Sequence, residues 1–291
     1  MSDFVTRFAP SPTGRLHLGH AFSALTAFTA AQKAGGRFLI RIEDIDTIRC
    51  KPAFEQAILD DLAWLGLEWE TPVRRQSEHF GSYHGAIDRL ADRGLVYRCF
   101  KTRREILEDI ARAPHHSGEG ADGAIYPGPA SKMSEDEEAA RLAAGEPFAW
   151  RLSLAAASAE LGDLAALTFE EDGRGPMGET GTIPVRPELI GDVIIGRKDV
   201  GTSYHLAVTM DDATQGITHV IRGEDLFFAT AVHRLLQALL GLPVPVYRHH
   251  RLVTGDDGKR FTKRDKSLSL QAIRDGGANA KSLRLQLGFN W

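Results

Sequence analysis

The first forty-four residues constrain the fold more than any other stretch of this chain. Asp3–Pro10 (DFVTRFAP) reads as a short strand stopped by Pro10, which has no N–H to continue a ladder. HLGHAFSALTAFTAAQKAGG then reads as a helix: Ala21, Leu25 and Phe28 recur at helical spacing, and Gly35 and Gly36 supply the stop. Arg37–Asp44 (RFLIRIED) reads as a second strand that ends in carboxylates. Helices are predicted over Ala53–Leu65, with Phe54, Ile58, Leu62 and Leu65 on one face, and over His79–Arg93, with Tyr83, Ile87 and Leu90, ended by Gly94. Strand alternating with helix is the rhythm of a parallel α/β sheet. Ligands in such sheets bind outside the carboxyl ends of the strands.

From about Tyr97 to Glu188 the periodicity loosens. ARAPHHSGEGADGAIYPGPA is loop-like, SEDEEAARLAAGE is a short helix with Ser134 as N-cap and Glu137 three residues on, and DLAALTFEEDGRGPMGETGTIPV suggests short strands and turns. This region reads as an insertion. The α/β rhythm then returns: YHLAVTM and THVIRG read as strands, the second ending in Arg222, Gly223, Glu224 and Asp225, and a helix follows through Leu240. The expected organisation is a Rossmann-like domain in two halves, 1–97 and 189–245, an inserted α+β subdomain at 98–188, and a loop with short helices at 246–291.

With 291 residues, 43% apolar and 25% charged, the chain has enough apolar side chains for a sizeable core. Its net charge of -4 supplies no global positive field for nucleic acid, so any basic surface is local. Two cysteines, Cys50 and Cys99, do not make a disulfide framework and fit a reducing, cytoplasmic setting. No secretion signal opens the chain, and no apolar run approaches the roughly 18 residues that span a bilayer, so no membrane partner is expected.

Between the first strand and helix lies RFAPSPTGRLHLGH, Arg7 to His20. A phosphate site needs backbone N–H groups at a helix N-terminus, where the dipole favours an anion. Gly14 is expected to take a positive φ, and Gly19 offers a bare surface in the first turn. His17 and His20, three apart, share a helix face and can hydrogen-bond a phosphate. The same H-x-x-H pattern also occurs on plain helix surfaces and as metal pairs. It is neither a G-x-G-x-x-G turn nor a P-loop. A second cationic element lies between Arg248 and Lys266, where seven Lys/Arg stand against three Asp, a local charge near +4. It is either a solvated loop or a cationic loop that closes over a triphosphate.

These residues resemble the class I aminoacyl-tRNA synthetases: HLGH their first signature, RFTKR (Arg260–Arg264) their second, borne on a mobile loop. TRFAPSPTGRLHLGHA, RFLIRIEDIDTIRC, SYHLAVTMDDATQGITHVIRGEDL and GKRFTKRD narrow the resemblance to the glutamyl branch, over residues 3–100 and 186–266. The insertion then corresponds to an acceptor-binding type of subdomain. The chain stops some 25 residues past the basic loop, leaving no room for a helical anticodon-reading domain. Within the branch that resembles the short paralogues, which activate L-glutamate with ATP and attach it to the queuosine base in the anticodon of tRNA(Asp). Val208, where full-length relatives commonly carry Asn, leans the same way. The competing expectations are a truncated glutamyl enzyme charging a tRNA acceptor end, and a non-catalytic synthetase-like binding protein.

The resemblance implies a glutamate pocket of Arg7, Ala9, Ser11, Glu43, Tyr204 and Arg222. The chemistry agrees, because Arg7 and Arg222 can fork a side-chain carboxylate, while Glu43, helped by Tyr204, accepts from the α-ammonium. Glutamine is expected to be rejected, since it leaves an Arg unpaired. The resemblance also implies that Pro10, Gly19, His17, His20, Arg260, Lys263 and Arg264 hold ATP. His17, His20 and Lys263 would be the catalytic set, with Lys263 facing the leaving pyrophosphate. Thr262 fits a position that is usually small, and Arg260 replaces the usual first lysine. Mg²⁺ is expected on the ATP phosphates without a dedicated protein cage. Zinc is not expected: the family's Cys-x-Cys reads Cys99-Phe100-Lys101 here and its Tyr-x-x-x-Cys reads Tyr126 to Ala130, with only the adjacent His115 and His116 nearby. Cys50 is expected to be an ordinary buried side chain. A monomer is expected.

Overall fold

The computed structural model describes residues 3–112, 119–120, 123–129, 131, 133–253 and 269–291. The chain opens with β1 (Val5–Phe8), α1 (Leu18–Ala34), β2 (Arg37–Ile42), α2 (Pro52–Trp64), β3 (Glu70–Arg75), α3 (Phe80–Asp92) and β4 (Val96–Cys99). It continues through α4 (Arg103–Arg112), β5 (Glu119–Gly120), β6 (Gly123–Ala124), α5 (Glu135–Ala143), β7 (Ala149–Leu152), α6 (Leu154–Leu161), β8 (Thr168–Glu171) and β9 (Gly181–Pro184). The last third contains β10 (Ile194–Gly196), α7 (Tyr204–Thr214), β11 (His219–Gly223), α8 (Ala229–Leu240), β12 (Val246–His250), α9 (Leu270–Asp275) and α10 (Ala280–Gln286).

β1, β2 and β3 form a parallel sheet, and β11 and β12 form a second parallel pair. The two abut where Thr218 N donates to Val5 O (3.0 Å) and Val5 N donates to Thr218 Oγ1 (2.8 Å). The resulting order, β3–β2–β1–β11–β12, is that of a doubly wound α/β fold, with its switch point between β1 and β11. α1 and α2 cover one face through Ala24, Leu25, Phe28, Ile58 and Leu62. α3, α7 and α8 build the other core around Tyr83, Leu90, Leu206, Leu235 and Leu236. Gly35 caps α1 with φ 60°, the left-handed conformation that glycine adopts without penalty.

The stretch expected as an insertion contributes to two larger sheets and forms the short antiparallel β5–β6 pair by itself. β7 pairs antiparallel with β4 and β10, and the β8–β9 hairpin joins the parallel pair through Tyr247 and Glu171. Ser134 caps α5 by accepting from Glu137 N, as its sequence position predicts.

Three sequence readings are corrected. YHLAVTM is not a strand but the body of α7, capped by Ser203 and buried on nearly all sides. An apolar run that is buried all round carries no amphipathic stripe, so periodicity cannot separate helix from strand. Neither β3 nor β12 shows an apolar strand pattern in sequence, because ETPVRR is a polar edge strand and VYRHH carries its charge on a strand that lies between β11 and β8. Gly14 is not among the residues with positive φ.

Candidate active site

A cleft of about 480 Å³ opens at the switch point, where the carboxyl ends of β1, β2, β11 and β12 converge. Arg7, Ala9, Ser11, Glu43, Tyr204 and Arg222 all line it, as do Pro10, His17, Gly19 and His20. β1 delivers Arg7 and the loop after it, β2 ends just before Glu43, β11 carries Arg222, and α7 begins at Tyr204. Arg260, Thr262, Lys263 and Arg264 lie outside the described residues. The residues that flank them are at the cleft: Val253 lines it, and Ser269 and Leu270 pair with His17 and Leu16.

The two histidines form the N-cap of α1. His17 Nδ1 accepts from Gly19 N (3.1 Å), and His20 Nδ1 accepts from His17 N (3.2 Å), a reciprocal capping box built of imidazoles. Because both Nδ1 atoms accept, each neutral ring carries its proton on Nε2. The rings stand 3.7 Å apart. A Cβ on Gly19 would come within 3.0 Å of the His17 ring, so the bare position protects the cap itself as well as giving a ligand room.

Arg7 and Arg222 are held in opposite ways. Asp212 grips the Nε–Nη2 edge of Arg7 at 2.9 and 3.3 Å and also accepts from Arg41 Nη1 at 2.6 Å. Arg41, wholly buried, donates its other arm to Glu43 (3.0 Å). Burial alone would raise the Asp212 carboxyl, but Arg41 and Arg7 reverse that and hold it at about 2. Burial raises Glu43, with Arg41 opposing. Asp211, the residue preceding Asp212, takes Arg74, Gln76 and the Tyr83 hydroxyl. Arg7 Nη1 donates to Ile221 O (3.5 Å), and the residue lines the cleft.

Arg222 has no carboxylate partner among the described residues. Its Nε donates to His249 Nε2 (3.0 Å), Nη1 to His233 Nδ1 (3.2 Å), and Nη2 to Leu226 O and Thr230 Oγ1. The Tyr247 ring lies 5.3 Å beneath the guanidinium. Of five N–H donors, one on Nη1 is left over. The expected second fork is therefore a single N–H carrying an uncancelled charge. None of Arg41, Asp211, Asp212, Glu171, His233 or His249 was singled out from sequence, because each acts through a partner distant in the chain.

The family model for the class I tRNA synthetase (E and Q) catalytic domain matches residues 3–287. The chain belongs to that family. It is accordingly a ligase of the aminoacyl-tRNA synthetase kind, with the α/β catalytic fold expected from its sequence. A glutamyl-Q tRNA(Asp) synthetase of Rhodobacter capsulatus is 49% identical over 98% of this chain and 100% of its own length. One of Nocardia farcinica is 42% identical over 95% of this chain and 81% of its own. A solved glutamate-tRNA synthetase of Elizabethkingia anophelis superposes with a TM-score of 0.71 at 29% identity, over 90% of this chain. This chain spans about half of that protein (53%).

In the insertion, Cys99 and Tyr126 pack with Ile106 in a small buried cluster. Tyr126 accepts the Arg151 guanidinium over its ring at 4.7 Å. No group of three His, Cys, Asp or Glu among the described residues has a metal-holding arrangement, and His115 and His116 lie outside them. Cys50 is buried, as expected. No helix among the described residues is long and apolar enough to cross a membrane.

Proposed function

We propose that this protein activates L-glutamate with ATP to glutamyl-adenylate and transfers the glutamyl group to the queuosine base in the anticodon of tRNA(Asp). The observation that carries the reading is the uncancelled, buried Arg222 charge in a cleft that also presents Arg7 and Glu43. An amino acid with two carboxylates and one ammonium matches that set. Arg7 and Arg222 take the side-chain carboxylate, and Glu43, with the Tyr204 hydroxyl, takes the ammonium. Ala9 and Ser11 shape the pocket wall.

The α-carboxylate attacks the α-phosphorus in line, the bond to the β-phosphate oxygen breaks, and pyrophosphate leaves. The Nε2–H groups of His17 and His20 donate to the phosphate, where charge builds during the transfer. Pro10 and Gly19 border the nucleotide. Lys263, with Arg260 and Arg264, meets the pyrophosphate; Val253, which lines the cleft, and Ser269, which bridges to His17, support this. Mg²⁺ arrives on the ATP phosphates. The tRNA acceptor is inferred from the names of the relatives above. A monomer in the cytoplasm completes the reading.

Glutamate-dependent ATP–pyrophosphate exchange without tRNA, followed by transfer of labelled glutamate to tRNA(Asp) with and without queuosine, tests this. Exchange without tRNA and labelling only of the queuosine form are expected. Exchange that requires tRNA(Glu), or equal labelling of both tRNA forms, overturns it.

A further inference from the structure

Arg222 is a cation that cannot give up its proton at any ordinary pH, so every atom it touches must accept. That fixes the direction of a whole buried network. His249 Nε2 accepts from Arg222, so the imidazole proton sits on Nδ1, which donates to Glu171 Oε2 at 2.5 Å. Glu171 Oε1 in turn accepts from the backbone N–H of His249 (2.9 Å) and of Gly173 (2.8 Å). On the other side His233 Nδ1 accepts from Arg222, so its Nε2–H donates to His205 Nδ1 at 3.1 Å. The side chains of His249 and Glu171 are both wholly buried.

The contrast with Arg7 gives this arrangement its meaning. A carboxylate placed directly on a buried guanidinium holds it but also cancels it, as Asp212 does for Arg7. A neutral imidazole between the two holds the guanidinium while leaving its charge to be met by a ligand. The fold also makes room for this relay: a Cβ on Gly173 would lie 2.4 Å from His249 O and 2.8 Å from Glu171 Oε1. Only glycine fits there.

We propose that Glu171 and His249, together with His233 and His205, are positioning residues for Arg222: two imidazole relays aim its one remaining N–H at the side-chain carboxylate of the bound amino acid. This rests on the glutamate reading above and adds the residues that set its specificity. Glu171 comes from the β8–β9 hairpin, so a segment from the insertion helps set the amino-acid pocket. Burial lowers the His249 pKa to about 4 against the pull of Glu171, in keeping with a neutral ring.

The test uses the full chain in glutamate-dependent exchange. His249→Asn places its amide near the Nδ1 position and keeps the Glu171 bond, but offers Arg222 nothing. His249→Gln places an acceptor near the Nε2 position. His249→Asn is expected to raise the glutamate KM roughly tenfold or more, with the ATP KM unchanged, and His249→Gln to recover most of that. Gly173→Ala is expected to follow His249→Asn. Equal changes in both KM values, or none in either variant, overturn the proposal. If the wild-type chain shows no glutamate-dependent exchange, the functional reading fails instead. The relay is then judged by ¹⁵N NMR of the imidazoles at neutral pH, where Nδ1–H on His249 and Nε2–H on His233 are required. Either opposite tautomer, or a protonated ring, overturns it without reference to substrate.

Discussion

Glu43 shows how much one side chain's surroundings decide. Burial raises its carboxyl and Arg41 only partly compensates, so an arriving ammonium lowers it again and drives a proton off. Glutamate binding should therefore release protons, and affinity should rise with pH until Glu43 is ionised in the free protein. Calorimetry in buffers of differing ionisation heat, run from neutral pH downward, is expected to show release that grows as the pH falls toward the range where Glu43 takes up its proton. Glu43→Gln should abolish the release and raise the glutamate KM about 10- to 150-fold, the range for a charge-assisted hydrogen bond; a wild type that releases no protons sinks the assignment. At this scale the sequence is legible where a side chain lines the cleft, because RFAPS, RIED and THVIRG put charged residues at strand ends. It was not legible for Arg41 and Asp212, which meet across 171 positions, or for Glu171 and His249, which meet across 78. No local pattern reports such pairings.

Among the elements, α1 unites two demands in one residue. His17 is both the N-cap and a lining residue of the cleft. Asn is an effective N-cap but lacks an imidazole Nε2–H. His17→Asn is expected to keep the thermal midpoint within about 2 °C while lowering exchange about 100-fold, whereas His17→Ala should lose both activity and roughly 1 kcal/mol of stability. Parallel melting curves and exchange rates separate the two; an active His17→Asn would show the imidazole to be a cap alone. The strand–loop–helix frame around this residue was readable because Pro10, Gly35 and Gly36 punctuate it. α7 was not, since its seven buried residues include His205, Asp211 and Asp212, polar groups whose partners lie on other elements.

For the molecule as a whole, buried titrating groups give stability two opposing dependences on pH. His249 titrates near 4 in the folded state against about 6.5 when unfolded, so between those values the unfolded chain binds the extra proton and acid destabilises, by about 3 kcal/mol in full. Burial raises Asp61 on α2 to about 6, with Arg274 of α9 opposing. There the folded state binds the extra proton, and stability falls as pH rises through about 4 to 6. The two slopes offset each other in the wild type. Relative to it, His249→Gln should gain stability as pH falls from about 7 to 4.5, and Asp61→Asn should be most favourable at the upper end. Melting temperatures across that range check both signs, and parallel curves for all three proteins refute the account.

The seam between β1 and β11 also bears on how the chain is made. Val5 emerges from the ribosome first, yet its partner Thr218 lies 213 positions later, roughly 10–40 s of synthesis at ordinary rates. Throughout that interval the β1–β2–β3 sheet forms without the β11 edge that completes it. The sheet is therefore closed at β1 only after the last third of the chain has been made.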